Sequence, residues 1–195
     1  AGRAYFISNG EPRTARETVN ALLAAAVGWR LGFSPDEIRE GLETAVLQGG
    51  RLQHRTVAGL RILDDSYNAN PDSMKAAVDV LSTLPKPCLL VIGDMGEVGN
   101  QGPLSHEELG HYARLKPIDQ LLCTGLASLA TVNAFNTNST QGKHFSDKAQ
   151  LHEAVIASLA EVNSILIKGS RFMKMESVIE AIHQHISKED SHHAV

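Results

Sequence analysis

The chain is poor in cysteine, and no hydrophobic run in it is long. Its two cysteines among 195 residues, Cys88 and Cys123, stand at apolar, strand-like positions. That excludes a disulfide framework or a thiolate metal site and fits buried, reduced thiols of a cytoplasmic protein. The longest apolar stretches, Ala21 to Val27 and Cys88 to Ile92, fall well short of the roughly 20 residues a helix needs to cross a bilayer, so no membrane insertion is expected. No basic segment followed by an apolar one is seen near residue 1, so no secretory leader is read there. Positive charge is scarce as well. The 18 Lys and Arg are outnumbered by 22 Asp and Glu, leaving a formal charge of -4 and a pI near 6.1; with no basic run, nucleic acid is not an expected partner. There is no Gly-rich loop ending in Lys and Ser/Thr, and the glycines between Gly93 and Gly99 lack the spacing of a dinucleotide turn. His183, His185, His192 and His193 come without partner cysteines or carboxylates, so they read as a solvated helix end and tail, and no metal site is expected.

What is present suffices for a core, since 43% of the residues are hydrophobic. A short strand candidate at Ala4 to Ile7 precedes the turn dipeptide Asn9-Gly10. An Ala- and Leu-rich helix is expected from Ala15 to Leu31, then a second after the cap Ser34-Pro35, carrying Ile38, Leu42, Ala45 and Val46. Two helices cannot bury both faces alone, so this region needs another partner. Gly49-Gly50 reads as a hinge, dividing the chain into residues 1–48 and 49–195. Beyond it, a hairpin turning at Gly59 is followed by strands at Cys88 to Ile92, Gln120 to Cys123 and Ser164 to Lys168. Helices are expected after Asn70, from a Ser105/Glu108 capping box to about Leu115, from Leu126 to Phe135, from Asp147 to Ala160, and around Met175 to Ile186; the Asn, Thr, Ser and Gln residues before Asp147 read as a loop. Such alternation predicts an α/β fold: a Rossmann-like, mostly parallel sheet with helices on both faces.

One stretch concentrates the chemistry: Leu63-Asp64-Asp65-Ser66-Tyr67-Asn68-Ala69-Asn70-Pro71-Asp72-Ser73. A strand ends there and a helix begins, with Asn70 as N-cap and Pro71 in the first turn. Ligands of open α/β sheets bind at such carboxyl ends. Asp64 and Asp65 could hold ribose hydroxyls or a metal, Tyr67 could lie against a base, or the segment could simply be turn chemistry. Lys168, Ser170 and Arg171 likewise stand at a strand mouth entering a helix, where an anion is favoured.

Together with Asn20-Ala21-Leu22, Gly50-Arg51-Leu52, the run from Val91 to Gly99, and Ile167-Lys168-Gly169-Ser170-Arg171 followed by Met175-Glu176, this stretch resembles the Mur ligase family. Its order of motifs, and Ser66 to Asn70 in particular, is most similar to the branch adding D-alanyl-D-alanine to UDP-N-acetylmuramoyl-tripeptide. Thr14-Ala15-Arg16-Glu17 stands where that family carries Gly-x-His-Asn. The resemblance implies three domains: one for the UDP-sugar, a central ATPase, and a Rossmann-like domain bringing the incoming amino acid or dipeptide. Residues 1–48 would be the helical remnant of the ATPase and 49–195 the carboxyl-terminal domain. ATP would phosphorylate the tripeptide carboxylate, and the D-Ala-D-Ala amine would then displace phosphate. The P-loop, the carbamylated lysine and the Mg2+ ligands would lie upstream, so no catalytic residue is assigned in this chain and it is expected to be inactive alone. By the same resemblance, Asn20 meets adenine, Arg51 reaches the ATP phosphates, and Asp65, Tyr67 and Asn68 line the nucleotide. Lys168, Ser170 and Arg171 would take the carboxylate of D-Ala-D-Ala, and Asp94 and Glu97 its ammonium group. The expected enzyme is a cytoplasmic monomer; the alternative is a stand-alone nucleotide or amino-acid binding module.

Overall fold

A computed structural model describes residues 15–45, 50–96, 98–138 and 140–192. The strand expected at Ala4 to Ile7 and the residues Val46 to Gln48 lie outside these. The chain divides into two compact units, Ala1–Gln48 and Gly49–Val195.

In the first unit, α1 (Ala15–Arg30) and α2 (Pro35–Thr44) are the two expected helices. Ser34 caps α2 through a reciprocal box: its Oγ accepts from the Glu37 amide at 3.3 Å and the Glu37 carboxylate accepts from the Ser34 amide at 2.7 Å. These bonds hold the Glu37 carboxyl below its usual pKa. Val19, Leu22, Leu23, Val27 and Trp29 of α1 are exposed, and no residue of α2 is buried. A helix pair with its apolar stripe in water is an incomplete layer.

The second unit is a six-stranded sheet in the order β1-β2-β6-β3-β4-β5. Its strands are β1 (Gln53–Val57), β2 (Leu60–Asp65), β3 (Cys88–Ile92), β4 (Gln120–Thr124), β5 (Gly142–Phe145) and β6 (Ser164–Lys168). Only the β1–β2 hairpin is antiparallel. The helices are α3 (Pro71–Ser82), α4 (Gly102–Arg114), α5 (Ser128–Phe135), α6 (Lys148–Ser158) and α7 (Glu176–His192). The side-chain period of two sorts the strands between two cores. Cys88, Leu90 and Ile92 join Met74, Leu81, Leu109 and Phe135 from α3, α4 and α5 on one face. Leu89 and Val91 join Leu151, Val155, Val178 and Ile182 from α6 and α7 on the other. Strands β3 and β6 are buried throughout, as a central parallel pair must be. Both thiols are buried, and burial raises the pKa of Cys88 to about 11 and that of Cys123 well above the ordinary value.

Three sequence expectations change. The polar loop before Asp147 contains an edge strand, β5, because the Asn136 side chain ties both the amide and the carbonyl of Gly142 at 2.8 Å and aligns the segment with β4. Helix α4 begins at Gly102, with Pro103 in its first turn, so Ser105 and Glu108 form no capping box; the chain already enters through a 3₁₀ turn at Gly99–Gln101, and Glu108 pairs with Lys75 at 3.2 Å. Helix α5 begins two residues after Leu126, which is left exposed.

Helices α4 and α5 approach closely at Gly110. A Cβ there would lie 2.3 Å from the Thr131 carbonyl oxygen and 2.7 Å from Ala134 Cβ. Helix propensity alone would favour Ala at this site by up to about 1 kcal/mol, but a backbone carbonyl on a packed helix cannot yield the space. Gly110→Ala is therefore expected to destabilise the second unit by about 1–3 kcal/mol. Equal or greater urea resistance in the variant would contradict this close approach.

Candidate functional site

The expected residues of the second unit converge at the carboxyl ends of β2, β3 and β6. Strand β2 delivers Asp64 and Asp65, and in the register of the parallel pair Asp65 stands opposite Lys168. Asp65 Oδ2 meets Lys168 Nζ at 2.5 Å, while Oδ1 accepts from the Leu52 amide at 3.0 Å. The Lys168 side chain is 2% exposed and also donates to the Asn68 carbonyl at 2.9 Å. Burying two opposite charges is favourable only when further hydrogen bonds complete both partners, as here. Asp64 turns inward, accepting from the Ser66 hydroxyl at 2.7 Å, with Arg55 3.9 Å away. Asn68 accepts from the Ala69 amide at 2.9 Å. Asn70 caps α3, its side chain accepting from the Ser73 amide at 2.9 Å while Ser73 Oγ accepts from the Asn70 amide at 3.1 Å.

Tyr67 is the geometric centre. The Arg51 guanidinium carbon lies 4.7 Å from its ring centroid and that of Arg171 5.7 Å. Two guanidinium groups gathered on one phenol leave a concentration of positive charge beside an aromatic face. Gly50 fastens the Arg51 segment here: its carbonyl accepts from the Tyr67 amide at 2.9 Å, its φ is +74°, and a Cβ would lie 2.8 Å from the Tyr67 nitrogen. Arg171 is steadied by Glu176 at 2.8 Å yet keeps 63% of its side chain exposed.

The loop after β3 is zipped to the loop after β6. Gly93 donates to the Lys168 carbonyl at 2.8 Å, Ser170 donates to the Asp94 carbonyl at 3.0 Å, and Gly96 donates to Ser170 Oγ at 2.7 Å. Ser170 Oγ in turn donates to the Ala69 carbonyl at 3.3 Å, tying in the β2 loop. The Asp94 carboxylate accepts from the amides of Ala127 and Ser128 at 3.2 and 2.8 Å, and so serves the N-terminus of α5. Of the three residues expected to meet an anion, Lys168 and Ser170 are buried and bonded within the protein, whereas Arg171 presents its charge to solvent. Asn20 is an exposed residue of α1 in the first unit, and Glu97 lies outside the described residues.

Sequence reasoning missed His106, which is fully buried. Its Nε2 accepts from the Met95 amide at 3.0 Å and its Nδ1 lies 3.0 Å from Thr131 Oγ1. Burial lowers its pKa, with the nearby Asp94 charge opposing. The available signal was spacing: His106 precedes Leu109 and Ala113 by three and seven residues, on the same inward face of α4. Among the described residues no group of three or more His, Cys, Asp or Glu assembles as a cation site, and no helix is long and apolar enough to cross a membrane.

Comparison with known proteins identifies the family and the fold. Residues 50–171 match the family model described as Mur ligase, glutamate ligase domain. The UDP-N-acetylmuramoyl-tripeptide--D-alanyl-D-alanine ligase of Escherichia coli is 40% identical over 168 residues, covering 85% of this chain and 36% of that enzyme. The enzyme of the same name from Bacillus subtilis is 33% identical, with 83% and 36% covered. A crystal structure of MurF from Acinetobacter baumannii superposes with a TM-score of 0.81 at 33% identity, over 87% of this chain and 38% of that one. The chain thus spans a little over a third of the length of these relatives.

Proposed function

Since the chain belongs to the Mur ligase family, we propose that it works as the carboxyl-terminal part of an ATP-driven ligase joining D-alanyl-D-alanine to UDP-N-acetylmuramoyl-tripeptide. Residues 1–48 are then the tail of the ATPase domain and residues 49–195 the domain that brings the dipeptide. The observation that carries this reading is Tyr67 with Arg51 and Arg171 against it, above the buried Asp65–Lys168 pair. Phosphoryl and acyl-phosphate chemistry asks a protein chiefly for positioning and for neutralisation of anions. A guanidinium supplies both through its rigid fork of donors.

Each residue takes a part from its surroundings. Arg51, fixed next to Gly50, offers charge to the ATP phosphates, and Tyr67 and Asn68 line the nucleotide. Asp65, held by the Leu52 amide and by Lys168, is assigned to the ribose hydroxyls. Arg171 takes the dipeptide carboxylate. Lys168 and Ser170 hold that loop in shape, and Asp94, spent on the α5 amides, shapes the approach of the amine together with Glu97. Mg2+ accompanies ATP in such a reaction, but the described residues offer no donor set for it. Its ligands are assigned to the ATPase part.

The deciding experiment measures ADP release by the whole ligase with UDP-N-acetylmuramoyl-tripeptide, comparing D-Ala-D-Ala with single amino acids, alongside the present chain alone. Dipeptide-dependent release from the whole enzyme and none from the chain is expected. A folded, nucleotide-binding protein without dipeptide-dependent release would instead be a binding module that has kept the fold.

A further inference from the structure

We infer that His106 is a positioning residue for the dipeptide, acting through the Met95 amide to hold the loop after β3 against Ser170 and Phe172, the two neighbours of Arg171 in the chain. The inference rests on the reading above and extends it to a residue that touches no reactant.

Loop residues 93–96 are restrained one after another. The amide of Gly93 goes to β6, the carbonyl of Asp94 to Ser170, the carboxylate of Asp94 to α5, and the amide of Gly96 to Ser170 Oγ. Met95 is the remaining link, and its amide is satisfied by an imidazole nitrogen from α4. A buried amide left without an acceptor is costly, so the loop keeps this path only while that nitrogen has a lone pair. Because the Met95 N–H donates to Nε2, the proton of the neutral ring sits on Nδ1, where it donates to Thr131 Oγ1. His106 therefore ties the loop to both α4 and α5. Helix α5 is also where the Asp94 carboxylate ends, and it is pressed onto α4 at Gly110. The ring is wholly enclosed, which removes direct contact with substrate as an explanation of any kinetic effect.

The loop closes on Ser170 and Phe172: a Cβ at Gly96 would lie 2.5 Å from the Phe172 ring. Loosening Met95 should therefore be felt first at Arg171, next to the Ser170 that the loop holds, and only weakly at Arg51 and Asp65, which keep their own anchors in the Tyr67 amide on the Gly50 carbonyl and the Leu52 amide on Asp65. In the whole ligase, His106→Ala is expected to raise KM for D-Ala-D-Ala by ~10-fold, the scale of one lost buried hydrogen bond, while KM for ATP stays within about twofold. His106→Gln, whose amide oxygen can accept from Met95, should recover most of that loss. Thr131→Val, which deletes only the outer bond, should shift the dipeptide KM in the same direction by less and serves if His106→Ala does not fold. Nitrogen NMR of the present chain should show an imidazole protonated at Nδ1 and bare at Nε2. Equal changes in both KM values, an unchanged dipeptide KM in His106→Ala or in Thr131→Val, or a proton found on Nε2 would each overturn the inference. Wild-type ligase lacking dipeptide-dependent turnover would overturn the functional reading beneath it, which the variants by themselves do not.

Discussion

Asp65→Ala is expected to cost the second unit about 3–5 kcal/mol, because it leaves the buried Lys168 ammonium without its carboxylate. The side chains of Asp65 and Lys168 are 16% and 2% exposed, so water cannot take over the charge as it does at a surface pair, whose worth is usually below about 1 kcal/mol. The same substitution releases the Leu52 amide. Leu52 is itself buried at a φ of +47°, a conformation a non-glycine residue holds only when its surroundings enforce it. Asp65→Asn should cost less, since an amide oxygen can still accept from Leu52. Combining Asp65→Ala with Lys168→Met should restore part of the loss by removing the stranded charge. Urea melts of the three variants check this. A cost for Asp65→Ala no larger than that of a surface pair would mean that the ion pair does not hold the two loops together.

Arg171→Ala should leave stability nearly unchanged, as 63% of the side chain is exposed, yet lower kcat/KM for D-Ala-D-Ala by about 100-fold. Truncating one member of a charge pair formed with a carboxylate typically removes about 2–5 kcal/mol of binding, and each 1.4 kcal/mol is about tenfold. The position of Arg171 beside Tyr67 makes Lys a poor substitute, because an ammonium offers neither the planar fork nor the stacking surface. Arg171→Lys should therefore recover only part of the activity. KM for ATP is the control: a parallel rise there would place Arg171 at the nucleotide. A loss below about threefold in kcat/KM would remove it from substrate binding altogether.

Local signals carried much of this unit. Apolar runs bounded by turns announce β3 and β6, and Asn70-Pro71 announces the start of α3, because each depends only on near neighbours. Asp65, Tyr67 and Arg171 could be picked out as polar residues at strand ends for the same reason. What escaped was relational. That Lys168 is paired with Asp65, 103 positions earlier, follows only from the register of β2 against β6. That Ser170 and Asp94 bond each other's loops is equally invisible from their neighbours in the chain. Strand β5 has little β propensity of its own and forms because Asn136 and β4 shape it. His106 lies on an ordinary amphipathic face, and nothing nearby in the chain shows that a backbone amide from another loop will need its nitrogen.

The place of β6 in the sheet bears on how the molecule is made. It lies between β2 and β3, although it is synthesised after both of them and after β4 and β5. Until residues 164–168 emerge, those two earlier strands lack their shared neighbour, and each offers an unpaired edge to whatever is at hand. The centre of the sheet and the Asp65–Lys168 pair then close in one late event, through contacts of long sequence separation that fold slowly. Synthesis interrupted shortly before Ser164 would yield helices α1 to α6 and the β2 side of the site without Lys168, Ser170 and Arg171, so an assembled site reports that β6 has been made and docked.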